Sequence, residues 1–232
     1  MQGGAFFQQI RAKGSFKGGR IVKVTKEKAA ANRAALVRAA ARLFRERGID
    51  GVGVAEICKS AGLTHGALYA QFASKEALAA EALAYGLDRS FVGLTAVKGD
   101  RGTTLTAFLD AYLAPQHRDD LADGCPMAAS ASEIARQDEA ISAQFSDGFE
   151  RIVEAIQRML GTTATTASAA AARQHALAIA AAMIGGIAAA RAVRKARPDL
   201  SDEIVMVVRQ VLGEVGGEAA IPSADAAAST HG

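Results

Sequence analysis

The chain has 232 residues, half of them apolar and 22% charged, and 54 are alanine against 4 prolines and no tryptophan. Alanine favours helices and does little for strands, so a β-sandwich or barrel is excluded, and two cysteines, Cys58 and Cys125, cannot build a disulfide framework. The net charge of +3 is uneven: residues 1–50 hold 12 Lys/Arg against 3 Asp/Glu, the remainder 15 against 21, which points the N-terminal end alone toward a polyanion.

Residues 1–24 are Gly- and Lys/Arg-rich without periodicity and are expected to be a basic, disordered extension. From Lys26 the pattern turns helical, with Leu36, Ala40, Leu43 and Phe44 on one stripe and Gly48 as the stop. A second short helix buries Val54, Ile57, Cys58 and Ala61 and ends at Gly62. The third is predicted from His65 to Phe72, with Thr64 as its N-cap and Leu68 and Phe72 facing inward. Ser74 then caps a long helix toward Leu94, with Glu76 at its positive end. Further helices are predicted at 103–114, 126–136, 138–160, 166–196 and 200–213, about nine in all, before a tail (216–232) expected to be disordered. The apolar run Ala176–Ala190, 15 residues, falls short of the roughly 20 that a membrane span needs. It reads as a buried helix of a soluble, cytoplasmic protein.

The informative segment is Val54–Lys75, VAEICKSAGLTHGALYAQFASK: a short helix, a turn on Gly62 and a second short helix. That is a helix-turn-helix, whose second helix enters the DNA major groove. With Leu68 and Phe72 inward, Gly66, Ala67, Tyr69 and Ala70 face out. A glycine inside a helix costs about 1 kcal/mol relative to alanine, and its missing Cβ lets another body approach the backbone; a loose helix start is the plainer explanation. Thr64 and Tyr69 can donate to phosphates, and Lys75 adds a cation.

Residues 33–83 resemble the DNA-binding domain of TetR-family transcriptional regulators. The resemblance is carried by Leu43-Phe44, Gly48, Ile57-x-x-x-Ala61-Gly62-Leu63 and Gly66-x-Leu68-Tyr69-x-x-Phe72-x-Ser74-Lys75-Glu76-x-Leu78. It implies a three-helix DNA-binding domain (25–73), a helical ligand-binding and dimerisation domain (74–215), and a homodimer reading a pseudo-palindromic duplex operator. By the same resemblance Thr64, Tyr69 and Lys75 bind phosphates, His65 and Gln71 are candidates for base edges, Gly66 and Ala67 lie at the groove, and Ala70 offers only apolar contact. Direct readout is then thin, so DNA shape is expected to share in operator choice, and Arg11–Lys28 could form a minor-groove arm.

In the C-terminal part, Ala176, Ala180, Met183, Ile184 and Ile187 form one stripe, with Gly185-Gly186 permitting close approach, and Val207 and Val211 another. The resemblance makes these a four-helix dimer interface. Phe108, Tyr112, His117, Cys125, Met127, Phe145, Phe149 and His175 are the candidate lining of a pocket for a small-molecule effector, although any one of them could equally be core. Cys125 could sense electrophiles near a helix start or be an inert buried thiol. Four dispersed histidines suggest no metal site, no cofactor motif is present, and no nucleophile–base pair, HExxH or phosphate-binding loop points to an enzyme. The expectation is a ligand-responsive regulator, a repressor in the first instance; an effector-free architectural DNA-binding protein is the alternative.

Overall fold

The computed structural model describes residues 26–95, 104–161 and 166–220; the expected basic extension and minor-groove arm lie almost wholly outside them. Ten α-helices, and no strand, occur among the described residues. They are α1 (Lys26–Arg47), α2 (Val54–Ala61), α3 (His65–Tyr69), α4 (Lys75–Thr95), α5 (Leu105–Tyr112), α6 (Pro115–Asp119), α7 (Pro126–Ile134), α8 (Glu139–Leu160), α9 (Thr166–Val193) and α10 (Pro198–Ala220).

Helices α1–α3 fold around Leu36, Ala40, Leu43 and Phe44, which meet Ile57, Cys58, Leu68 and Phe72 in one buried cluster. Gly62 makes the turn between α2 and α3. It sits at φ +68°, in the left-handed region, where its N–H donates to the carbonyls of Cys58 and Lys59. Thr64 caps α3 by accepting from the Ala67 N–H at 3.3 Å, and Ser74 caps α4 by accepting from the Ala77 N–H at 3.2 Å. Helix α4 packs on α1 with one side and on α8 with another, so one rod belongs to both the N-terminal unit and the larger body.

Arg33 holds this junction. Its Nε donates to Glu81 at 3.1 Å, Nη2 pairs with the same carboxylate, and Nη1 donates to the Gln71 carbonyl at 2.5 Å. Its guanidinium also lies 4.2 Å from the centroid of the Phe72 ring. One side chain of α1 thus binds the end of the three-helix unit to α4.

In the body, α9 packs against α8 and α10, with Ile179, Met183 and Ile187 buried. Gly186 sits so close to α10 that a Cβ there would come within 3.1 Å of Val208. The stretch Ala169–Val193 is long and apolar enough to cross a membrane, but 44% of its most apolar window is covered inside the protein.

Several boundaries differ from the sequence reading by a few residues, and three differences have a visible cause. Helix α3 ends at Tyr69 instead of Phe72, because Gln71 and Phe72 both donate back to the Leu68 carbonyl and close a tight turn. A tenth helix, α6, is started by Pro115 at its first position, an N1 signal inside a stretch read as loop. Helix α10 runs on to Ala220, past Gly216, which lies buried against Leu105.

Leu68 has no exposed surface and is the main anchor of α3. Leu68→Ala is expected to cost about 2–5 kcal/mol of stability by leaving a cavity between α1, α2 and α3, measured by urea denaturation.

Candidate nucleic-acid interface and ligand chamber

The outer surface of α3 is shaped by what lies beneath it. Leu68 and Phe72 are drawn into the core, which turns Thr64, His65, Gly66, Tyr69 and Ala70 to the outside. Tyr69 is 58% exposed, and Ala67, Gln71 and Lys75 are half-buried. A Cβ added at Gly66 would meet nothing nearer than the Thr64 hydroxyl at 4.0 Å. No contact within the subunit therefore requires glycine at that place. The Thr64 oxygen is used as a cap, but its O–H proton remains free to donate. All eight residues singled out in the sequence share this surface or its rim.

Behind it, α1 is tied to the body at two points. Arg45 Nε donates to the Ala122 carbonyl at 2.6 Å, and its Nη2 is 3.6 Å from Asp123. Burial lowers the affinity of Arg45 for its proton, while Asp123 and Asp120 work against that. The Asp50 N–H donates to Glu133 at 2.9 Å, and the Gln137 amide reaches the Asp50 carboxylate. The acidic trio after α6 is spent on structure: Asp120 accepts from the Asp123 N–H at 2.8 Å, and Asp119 pairs with Arg118 and Arg194.

The turn held by Arg45 runs straight into the wall of a chamber between α4, α5, α7 and α8. Leu87, Ser90, Phe91, Phe108, Tyr112, Cys125, Pro126, Gly148, Arg151 and Ile152 line it, and the cavity they enclose is narrow, about 10 Å³, room for about one water molecule. Of the eight residues expected there, Phe108, Tyr112 and Cys125 are in the lining. Met127 stands just behind it, its Cε 3.0 Å from where a Cβ on Gly148 would lie. His117 packs on the far side of Tyr112, ring centroids 4.9 Å apart. Phe145 and Phe149 pack partly buried against the core outside the lining, and His175 is exposed on α9. The missed residues come from α4 and α8, whose lining positions (Leu87, Gly148, Arg151, Ile152) follow a helical period but mix sizes and charges, so no single stripe announces them. Arg151 at the mouth pairs with Asp88 and lies 5.0 Å from the Phe91 ring centroid.

Two buried polar atoms near the chamber have no hydrogen-bond partner, the Tyr112 hydroxyl and His117 Nε2. Burial pushes the Tyr112 phenol well above its ordinary range. Burial, with the Arg191 charge adding to it, lowers His117 from 6.5 to about 4, so its imidazole is neutral at pH 7.

The stripe expected to form a dimer interface requires correction. Ala176, Ala180, Met183, Ile184 and Ile187 are buried within the subunit, against α8 and α10, and cannot also present a face to a partner. The helical period was read rightly, but the stripe faces the subunit's own core. Gly186 likewise serves the internal α9–α10 contact, whereas Gly185 faces open space. The large exposed apolar residues of these helices are Leu177, Met206, Val207 and Val211, beside exposed alanines of α9 such as Ala178, Ala181 and Ala182; Val207 and Val211 are the two expected residues that remain accessible.

A helical head presenting an uncovered recognition helix, joined by a shared helix to a body with an internal chamber, is the architecture of a helix-turn-helix transcriptional regulator. Residues 36–82 match the tetR family of bacterial regulatory proteins, and residues 102–199 match the C-terminal domain of LmrA/YxaF-like transcriptional regulators. Together the two matches take in more than half of the chain, which belongs to the TetR family. No curated protein matches it significantly. Solved structures share the fold at low identity. The reduced form of E. coli NemR aligns with TM-score 0.64 and 18% identity, covering 79% of this chain and 95% of that one. A TetR-family regulator from Cytophaga hutchinsonii gives 0.63 and 19%, covering 82% and 96%. Another from Agrobacterium tumefaciens gives 0.62 and 17%, covering 80% and 98%.

The His117 shift has a pH consequence. Its folded pKa lies below the unfolded value, so between pH 6.5 and about 4 the unfolded chain binds a proton that the folded one refuses. Stability contributed by neutral His117 is complete above pH 6.5 and is lost as pH falls through that window. His117→Phe is expected to flatten the fall of Tm across it, relative to the unaltered protein, in thermal denaturation followed by circular dichroism.

Proposed function

We propose that this regulator binds a pseudo-palindromic duplex operator as a homodimer, acts as a repressor in the cytoplasm, and loses its grip on DNA when a small molecule fills the chamber. The observation that carries DNA binding is the outward surface of α3: exposed Tyr69 and an open Cβ position at Gly66, seated over fully buried Leu68. A helix stripped of bulk on its outer side can bring its backbone against groove edges. Thr64, Tyr69 and Lys75 would then hold phosphates, His65 and Gln71 would reach base edges, and Ala67 and Ala70 would give apolar contact. The family membership supports the same reading.

Release follows from the path between chamber and head. An occupant that spreads α4 from α7 displaces the turn before Pro126, which carries Ala122 and Asp123, the anchors of Arg45 on α1. Shared α4 moves with it. A ligand that binds the displaced form more tightly shifts the pair of heads out of register with DNA by that difference in affinity. The dyad contact is assigned to the exposed sides of α9 and α10, with Val207 and Val211 at its centre.

Selection of bound duplexes from a random pool tests the reading; an inverted repeat is expected, and a single half-site or no enrichment would overturn it. Gly66→Glu should abolish operator binding in a gel shift while leaving thermal stability unchanged, because bulk and negative charge enter the closest contact. Lys75→Ala should weaken all sequences about equally and lower the slope of log affinity against log salt by about one unit. Val211→Glu is expected to convert the dimer to monomer in light scattering, since a charge would enter an apolar contact.

A further inference from the structure

The end of the chamber where Tyr112 meets Cys125 and Pro126 is rich in donors that have no acceptor. The Tyr112 side chain is fully buried, and its hydroxyl has no hydrogen-bond partner. The Cys125 thiol beside it is a weak partner at best. Burial keeps the phenol protonated, hence a donor. Helix α7 begins at this wall with Cys125 as N-cap, and that side chain accepts no hydrogen bond, so the first amides of α7 lack a side-chain acceptor. Arg191 completes the set. Its donors go to the carbonyls of His117, Arg118 and Asp120, and it joins no ion pair among the described residues. Its charge is close enough to Tyr112 and Cys125 to be felt by both. No carboxylate lines the chamber, and apart from Ser90 and Arg151 the remaining walls, among them Leu87, Phe91, Phe108 and Ile152, are apolar.

We propose that the chamber, widened as α4 parts from α7, binds a compact organic acid as its carboxylate, one oxygen accepting from the Tyr112 hydroxyl beside the start of α7 and the apolar body lying between Phe91 and Phe108. The assignment rests on the effector reading above and names its chemistry. Three polar features favour an anion or acceptor over a cation: a neutral phenol whose proton has no acceptor, the positive end of a helix, and, behind the wall, a guanidinium in no direct ion pair, its charge offset in part by nearby Asp119 and Asp120. His117 is neutral and adds no charge of its own. Arg151 is already paired with Asp88 at the mouth, so Arg191 carries the electrostatic preference.

Matched probes test the class. Benzoate, phenylacetate and hexanoate, each against its amide and its alcohol, are titrated calorimetrically into the full chain and into Tyr112→Phe. Carboxylates are expected to bind at least about tenfold more tightly than their neutral counterparts, and Tyr112→Phe to lose at least about tenfold for carboxylates alone. The variant removes a buried unsatisfied hydroxyl at almost constant volume, so its unliganded Tm should hold or rise, which separates lost recognition from lost folding. Equal or tighter binding of the amides or alcohols, no carboxylate binding, or unchanged carboxylate affinity in Tyr112→Phe would each overturn the proposal. Operator release measured on the same probes keeps the two readings apart. Neutral members that release DNA while carboxylates do not would sink the acid and leave the effector mechanism standing. Carboxylates that bind through Tyr112 without changing DNA affinity would establish the site and sink the effector mechanism.

Discussion

A helix of five residues has no stability of its own, and the architecture of this chain answers that constraint. Nucleating so short a helix fixes several dihedral angles for one or two hydrogen bonds, so α3 exists only because its neighbours hold it. Leu68 and Phe72 supply the hydrophobic hold. Arg33 supplies the directional one, with its planar fork shared between the Glu81 carboxylate and the Gln71 carbonyl and its face laid on Phe72. Two of its donors meet the Glu81 carboxylate on α4 and a third meets the Gln71 carbonyl just after α3, so the angle of α3 is set by α1 and α4 together. The outward side of α3 is thereby held in place, although glycine and alanine make up three of its eight residues.

The same economy appears where head and body meet. The two units share a continuous core through α4, and polar ties sit at its edge: Arg45 on the Ala122 carbonyl, and Glu133 on the Asp50 amide. Neither tie is a bidentate ion pair. Half-buried bonds of this kind are strong enough to set an orientation and weak enough to be exchanged. The α6–α7 turn lies between the chamber and α1, so the chamber wall and the anchor of the head are a few residues of one backbone segment.

Much of the head was legible from sequence because its signals are local. Gly62, Thr64 and Ser74 are punctuation whose meaning does not depend on distant residues, and the inward pair Leu68 and Phe72 follows from helical spacing alone. The body was harder. Its stripe on α9 was recognised, yet periodicity reports that a side is apolar and says nothing of what covers it. Ala176 and Met183 turned out to face α8 and α10 of their own subunit. Chamber residues were found where they are aromatic or sulfur-bearing and close in sequence, as with Phe108, Tyr112 and Cys125. They were missed where α4 and α8 contribute Leu87, Gly148 and Ile152 from positions 60 residues apart, a pairing that only tertiary packing creates. His175 illustrates the converse error, a polar residue on a mostly apolar helix that simply faces out. The Arg33 fork left no trace in the sequence, since its partners lie 38 and 48 residues away.

One small spacing has a long reach. Between α9 and α10 the contact at Gly186 is already so tight that a single methyl group would press on Val208. Thickening that seam would tilt the outer helix of the body bodily, and with it the ridge of Met206, Val207 and Val211. A rod some twenty residues long magnifies a slight rotation at one point into a larger sweep at its far end. The hydrogen atom that stands for a side chain at position 186 is thus a shim, and its thickness sets the pitch of the molecule's flank.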